Sequence, residues 1–411
     1  MIIALAAVLL GDLNAVAPVV TMFFLTVYGM LNMVAAMETL SGDTSWRPKL
    51  RVPWIINLLG GLLCIMVMFL INPLFGFIAI LAEILLWSFL SRHETKRSFG
   101  DARRGVYESL IRWALMRLAG HPMSARNWRP HMLVFVSHPE SQLDLIRFGN
   151  WFSQGRGVVT VCQLIIADLL KDSLNLIQER EKIQKLVDDE NLVVFAEVNV
   201  VKDVVEGITS VSQANGMAGL ESNTVMLGWP KNKELMVEFM RVMRRLEHLK
   251  KSLIIGQIEP GRLNLRESRR PVIQVWWRGM QSNGDLMLLL AYLLKRNPEW
   301  RRAHVRVMSI APNDQVKRVI EENLARIISG IRIDAKPFVI VKPEDKSAME
   351  MIHLESSEAD VVFFGLASPE RGEEMAYAER LEELASDLPA VFFVKNSSMF
   401  IGELMTLESE D

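Results

Sequence analysis

Residues 54–71 and 74–91 are two apolar runs separated only by Asn72-Pro73, with basic residues at either end. No other feature constrains the fold as much. A run of about 20 apolar residues crosses the hydrocarbon core of a bilayer as a helix, and lipid leaves the backbone no partner outside its own ladder. Upstream, residues 13–37 make a further span, with Pro18 near its start and Asn32 inside it. Residues 1–10 are apolar but cover only half a span. They lack the basic leader and small-residue cleavage site of a signal peptide, so they read as the tail of a helix whose beginning lies upstream.

Basic residues mark the cytoplasmic side of such helices. Arg47, Lys49 and Arg51 separate the spans at 13–37 and 54–71, while Arg92, Lys96, Arg97, Arg103 and Arg104 follow the span at 74–91. A hairpin lies between the two clusters, so both can face the cytoplasm. Asn72-Pro73 and residues 11–14 then face outside, and everything from about residue 92 is expected in the cytoplasm. Glu83 falls inside the last span. It either faces protein, a partner subunit or the headgroups, or it serves a function. Asn32 either bonds to a neighbouring helix or binds an ion.

Charge is distributed unevenly. Residues 1–91 are almost free of it, while the chain as a whole carries a net charge of −2 over 411 residues. Without a basic excess there is no signal for nucleic acid. Cys64 and Cys162 lie far apart, one in a predicted span and one in a predicted strand, so no disulfide is expected. Asn396-Ser397-Ser398 is a formal glycosylation sequon, which carries no meaning on the cytoplasmic side.

Residues 103–118 read as an amphipathic connector helix with Val106, Leu110, Trp113 and Leu118 on one side. Beyond residue 130 short apolar or β-branched runs alternate with helical periodicity. Strands are expected at 131–136, 158–162, 192–196, 224–227 and 253–258, with helices at 171–187 and 231–250. The pattern then restarts. Strands at 272–277, 304–310, 337–341, 361–365 and 391–395 are interleaved with helices at 286–296 and 315–329 and another before the last strand. Arg129-Pro130 matches Arg270-Pro271, and residues 225–228 match 363–365, an offset of about 140 residues that reads as a duplication. Alternating strands and helices imply a parallel sheet covered on both faces.

Ligands in such sheets sit beyond the carboxyl ends of the strands. That edge should carry Ser137, His138 and Gly228 in the first half, and Arg278-Gly279 and residues 365–372 in the second. Neither G-x-G-x-x-G nor G-x-x-x-x-G-K-[ST] occurs. Ser137, His138 and Gly228 are therefore the candidates for a degenerate nucleotide pocket, with a tight turn at Gly228-Trp229-Pro230 as the structural alternative. No nucleophile elbow, metal-ligand cluster or H-E-x-x-H is present, so no catalytic or metal residue is assigned. The seven histidines are scattered and read as structural or surface residues. Trp276-Trp277 reads as packing.

Several segments together resemble one family. The run Ala17-Pro-Val-Val-Thr-Met-Phe-Phe-Leu25 with Asn32, then Trp46-Arg-Pro48, then Leu58-Leu-Gly-Gly61 with Cys64 and Met68-Phe69, resembles the last membrane helices of cation-chloride cotransporters. So do Asn127-Trp-Arg-Pro130, residues 223–230, Val275-Trp-Trp277 with residues 284–290, and Asp387-Leu-Pro389 in the cytoplasmic part. Phe99-Gly-Asp101, Arg104-Gly105, Ala114-Leu-Met-Arg117 and the Gly-Trp-Pro turn look closer to the potassium-chloride branch.

The resemblance implies the end of an amino-acid/polyamine/organocation-type transporter, followed by two universal-stress-protein-like, Rossmann-like subdomains. It implies electroneutral carriage of K+ and Cl−, with Na+ in some branches, and a cytoplasmic domain that forms a homodimer and regulates. ATP is a possible regulator. The family's ions bind at broken helices that no segment here matches, so no ion-site residue is assigned and transport by this chain alone is not expected. The glycine-rich loop of universal stress proteins is also missing.

The expected organisation is membrane helices over 1–91, a connector over 92–129, and α/β subdomains over 130–258 and 259–411. The rival reading is a membrane-tethered nucleotide sensor without transport activity.

Overall fold

The structure, a computed structural model, describes residues 13–41, 49–50, 52–92, 102–121, 123, 128–169, 174–259, 261–262, 270–278, 281–331 and 333–398. The chain divides into two compact units, Met1–His121 and Pro122–Asp411.

The first unit is helical: α1 (Leu13–Ser41), α2 (Trp54–Ile71), α3 (Pro73–Arg92) and α4 (Ala102–Ala119). Ala17–Leu40 and Trp54–Ile71 are long and apolar enough to cross a membrane, and Pro73–Leu86 is a shorter apolar stretch. Between α2 and α3 a single residue serves both helix ends. The Asn72 amide N–H donates to the Met68 carbonyl at 3.1 Å, while its side-chain oxygen accepts from the Phe75 N–H at 3.2 Å. Pro73 then fills the first helical position, where a missing N–H costs nothing.

α1 and α2 approach through small residues, as membrane helices do when no hydrophobic effect drives their association. A Cβ at Gly61 would come within 2.8 Å of Met33, and one at Gly60 within 3.2 Å of the Asn32 side chain. Among the described residues Asn32 bonds within its own helix rather than across to another. Its amide donates to the Tyr28 carbonyl of its own helix at 2.9 Å, and its side chain lies against Gly60 of α2. Glu83 is half-buried on α3, and its Oε1 has no hydrogen-bond partner among the described residues. Residues 1–10, Arg47, Arg51, Lys96 and Arg97 lie outside the described residues.

The second unit is built on one ten-stranded sheet in the order β3-β2-β1-β4-β5-β10-β9-β6-β7-β8. Its first half runs β1 (Met132–Val136), α5 (Leu143–Ser153), β2 (Val159–Ile166), α6 (Leu176–Asp189), β3 (Phe195–Val201), α7 (Val204–Ala214), β4 (Thr224–Gly228), α8 (Lys233–His248) and β5 (Ser252–Ile258). The second half runs β6 (Val272–Trp276), α9 (Gln281–Lys295), β7 (His304–Ala311), α10 (Asp314–Ile331), β8 (Ala335–Val341), α11 (Ala348–Ser356), β9 (Val361–Gly365), α12 (Glu374–Ala385) and β10 (Ala390–Lys395). Within each half the strands are parallel, in the order third-second-first-fourth-fifth. That is a doubly wound sheet, with two helices on each face.

The halves meet where β5 pairs antiparallel with β10, Ile255 opposite Phe393. The duplication therefore folds as a single sheet with one hydrophobic layer on each side. On one side Phe148 and Phe152 meet Phe392 edge-on across the join, with Phe148 and Phe392 ring centroids 4.7 Å apart, and Phe363 stacks on Phe392. On the other, Phe364, Phe393, Trp229 and Trp276 also meet. Period-2 alternation explains the pattern, because consecutive phenylalanines in β9 and β10 point to opposite faces.

The duplication reaches individual residues. At the start of the first half, Asn223 accepts from the His131 N–H at 3.0 Å and donates to the Arg129 carbonyl at 2.6 Å. In the second half, Asp360 accepts from the Val272 N–H at 2.7 Å from the corresponding place before the fourth strand.

Several expected elements move. The strand expected at 192–196 is β3 at Phe195–Val201, since residues 191–194 are spent ending α6. Asn191 takes φ 55°, and the Leu192 N–H closes back on the Val187 carbonyl at 2.9 Å. The helix expected at 286–296 begins at Gln281, and β2 runs on to Ile166. Helices α5, α7 and α11 belong to the expected alternation, but the sequence did not locate them. They are among the shortest in the unit, at 11, 11 and 9 residues, too short for periodicity to show.

Candidate functional site

The two halves present two carboxyl-end crevices, each between the strands that lead in opposite winding directions. In the first half this is the gap between β1 and β4. The structure brings the three candidate residues together there. Ser137 and His138 follow β1, Gly228 ends β4, and all three surround the side chain of Gln142 just before α5. The Gln142 carbonyl oxygen accepts from the Ser137 N–H at 2.7 Å, the Ser137 hydroxyl at 3.1 Å and the His138 N–H at 3.1 Å. Its amide nitrogen lies where a Cβ at Gly228 would fall, 2.6 Å away. Gly228 thus has no room for a side chain because Gln142 fills the crevice.

Backbone N–H groups at a strand-to-helix turn form the anion cradle of nucleotide-binding sheets. Here those donors are satisfied by an amide oxygen from the same loop. A phosphate entering between β1 and β4 must displace Gln142 first. Sequence reasoning missed this residue, since nothing in the local pattern distinguishes a loop glutamine that folds back from one that faces water.

The second crevice, between β6 and β9, is filled in its own way. Trp277 lies so close to Gly284 that a Cβ there would come within 2.2 Å of the indole. Asn283 donates to the Leu366 carbonyl at 2.8 Å and accepts from the Asn396 N–H at 2.8 Å. Arg278 is exposed, and Gly279 lies outside the described residues. Trp276 is buried and donates to the Ser356 hydroxyl at 3.0 Å, so both tryptophans pack as expected.

The sequon belongs to the same network. Asn396 is buried, its amide donates to the Ser282 carbonyl at 2.9 Å, and its oxygen accepts from Ser252 at 3.1 Å.

Three buried ionisable groups stand out. Asp285, on α9, is 4% exposed and neither carboxylate oxygen has a hydrogen-bond partner among the described residues; burial pushes its pKa up to about 6. The Lys251 ammonium bonds to the Ser222 carbonyl and hydroxyl, and burial lowers its pKa. His131 accepts from the Val158 N–H at 3.1 Å, which marks it as structural, and burial, with Arg129 beside it, lowers its pKa. No group of three or more potential metal ligands occurs among the described residues.

Residues 1–134 match the amino acid permease family model, and residues 262–349 match the model of solute carrier family 12. The α/β unit is similar to the cytoplasmic domain of a prokaryotic cation chloride cotransporter, at 23% identity, covering 66% of this chain and 96% of that one, with a TM-score of 0.48. It is also similar to a universal stress protein from Archaeoglobus fulgidus DSM 4304, at 14% identity, 66% and 100% coverage and TM-score 0.41. A putative universal stress protein from Pseudomonas aeruginosa UCBPP-PA14 matches at 10% identity, 66% and 95% coverage and TM-score 0.39.

Apolar helices inside an amino acid permease match, followed by a solute carrier family 12 match within the duplicated α/β sheet, associate the chain with a membrane. Its two family matches cover separate parts of the chain, residues 1–134 and 262–349.

Proposed function

We propose that this chain serves an electroneutral K+/Cl− symporter, with α1, α2 and α3 among its membrane spans and a cytoplasmic α/β unit that dimerises and regulates. The observation that carries the reading is the pairing, within one chain, of a permease match over residues 1–134 with a solute carrier family 12 match inside the second half of the sheet. The position of basic residues after the apolar helices supports a cytoplasmic location from about residue 92.

The filled crevices favour a scaffolding or regulatory role for the α/β unit over chemistry. Both strand-end sites are occupied by the protein's own side chains, Gln142 in one and Asn283 with Trp277 in the other. The nucleotide-sensor rival requires Gln142 to move, and calorimetric titration of the purified protein with ATP tests it. Heat of binding with the native chain would revive the sensor reading.

The transport reading is tested by purifying the native membrane protein with an antibody against residues 122–411 and reconstituting it. Chloride-dependent rubidium uptake, unchanged when Na+ is replaced, is the expected result. Uptake that requires Na+ would reassign the cation, and uptake indifferent to chloride would overturn the symporter. Deleting residues 122–411 should alter both flux and dimerisation.

A further inference from the structure

We draw no further inference here: the strongest candidate, the exposed apolar patch that Ile166, Leu169 and Ile177 form where β2 leads into α6, carries nothing, because nothing in the structure shows what covers it.

Discussion

Asp285 is a buried carboxylate that finds no hydrogen-bond partner among the described residues, and its consequence is a pH dependence of unusual sign. Its pKa in the folded protein is raised to about 6 from an ordinary 3.8. Between those values the folded state holds the proton more tightly than the unfolded chain does. Stability from this residue is therefore full below about pH 4 and is lost as pH rises through 6. Two pK units correspond to about 3 kcal/mol. Asp285→Asn keeps the shape and removes the charge. It should raise the midpoint of chemical denaturation at pH 8 and leave it unchanged at pH 4; an equal shift at both would show that burial of the charge is not the cause.

Gln142 makes the opposite kind of contribution, since it satisfies three donors at once. Gln142→Ala hands the exposed Ser137 and His138 N–H groups over to water, at a cost of about 0.5–1.5 kcal/mol. It also empties the crevice. Binding of ATP or inorganic phosphate gained by this variant, and not by Gln142→Glu, would show that the side chain occupies an anion cradle.

At the scale of elements, the two edge strands are protected differently. β8 carries Lys336 and Pro337, which discourage further pairing by charge and by a missing donor. β3 has neither, and its backbone is met instead by α6. Gln184 accepts from the Ala196 N–H at 3.1 Å, and Arg180 donates to the Ala196 carbonyl at 2.8 Å. Arg180→Ala with Gln184→Ala frees that edge beside Phe195, which is 58% exposed. Light scattering should then show concentration-dependent self-association that the parent protein lacks; unchanged size would mean that the edge is guarded by something else.

At the scale of the molecule, the join between β5 and β10 decides whether the halves are domains or parts of one. Phe392 contacts Phe148 and Phe152 of the other half, and Arg244 of α8 reaches Glu374 of α12 at 2.9 Å. Phe392→Ala should cost about 3–5 kcal/mol and lower one cooperative transition. Residues 128–258 expressed alone expose both the β5 edge and the apolar faces over it, and should not fold to a stable monomer by circular dichroism and size-exclusion chromatography. A well-folded isolated half would make the join an interface between independent domains.

Much of this was legible beforehand, where signals are local. Apolar runs of membrane length, the Asn72-Pro73 break and the alternation of strands with helices are all patterns of neighbours along the chain. Ten strands were expected in order, and each is found, most within a few residues. The duplication showed through Arg129-Pro130 and Arg270-Pro271. What did not show depends on distance in sequence. Asn396 meets Asn283 across 113 residues, and Asn223 reaches Arg129 across 94.

The amino-acid sequence by itself thus determined which segments prefer lipid, which prefer a buried sheet, and that one α/β pattern occurs twice. Only the tertiary structure decided that the two patterns share a single sheet through an antiparallel join, and that each crevice holds the protein's own polar side chains. Periodicity records how one residue sits beside its neighbours, whereas the filling of a crevice is settled by groups that meet only after the strands between them have paired.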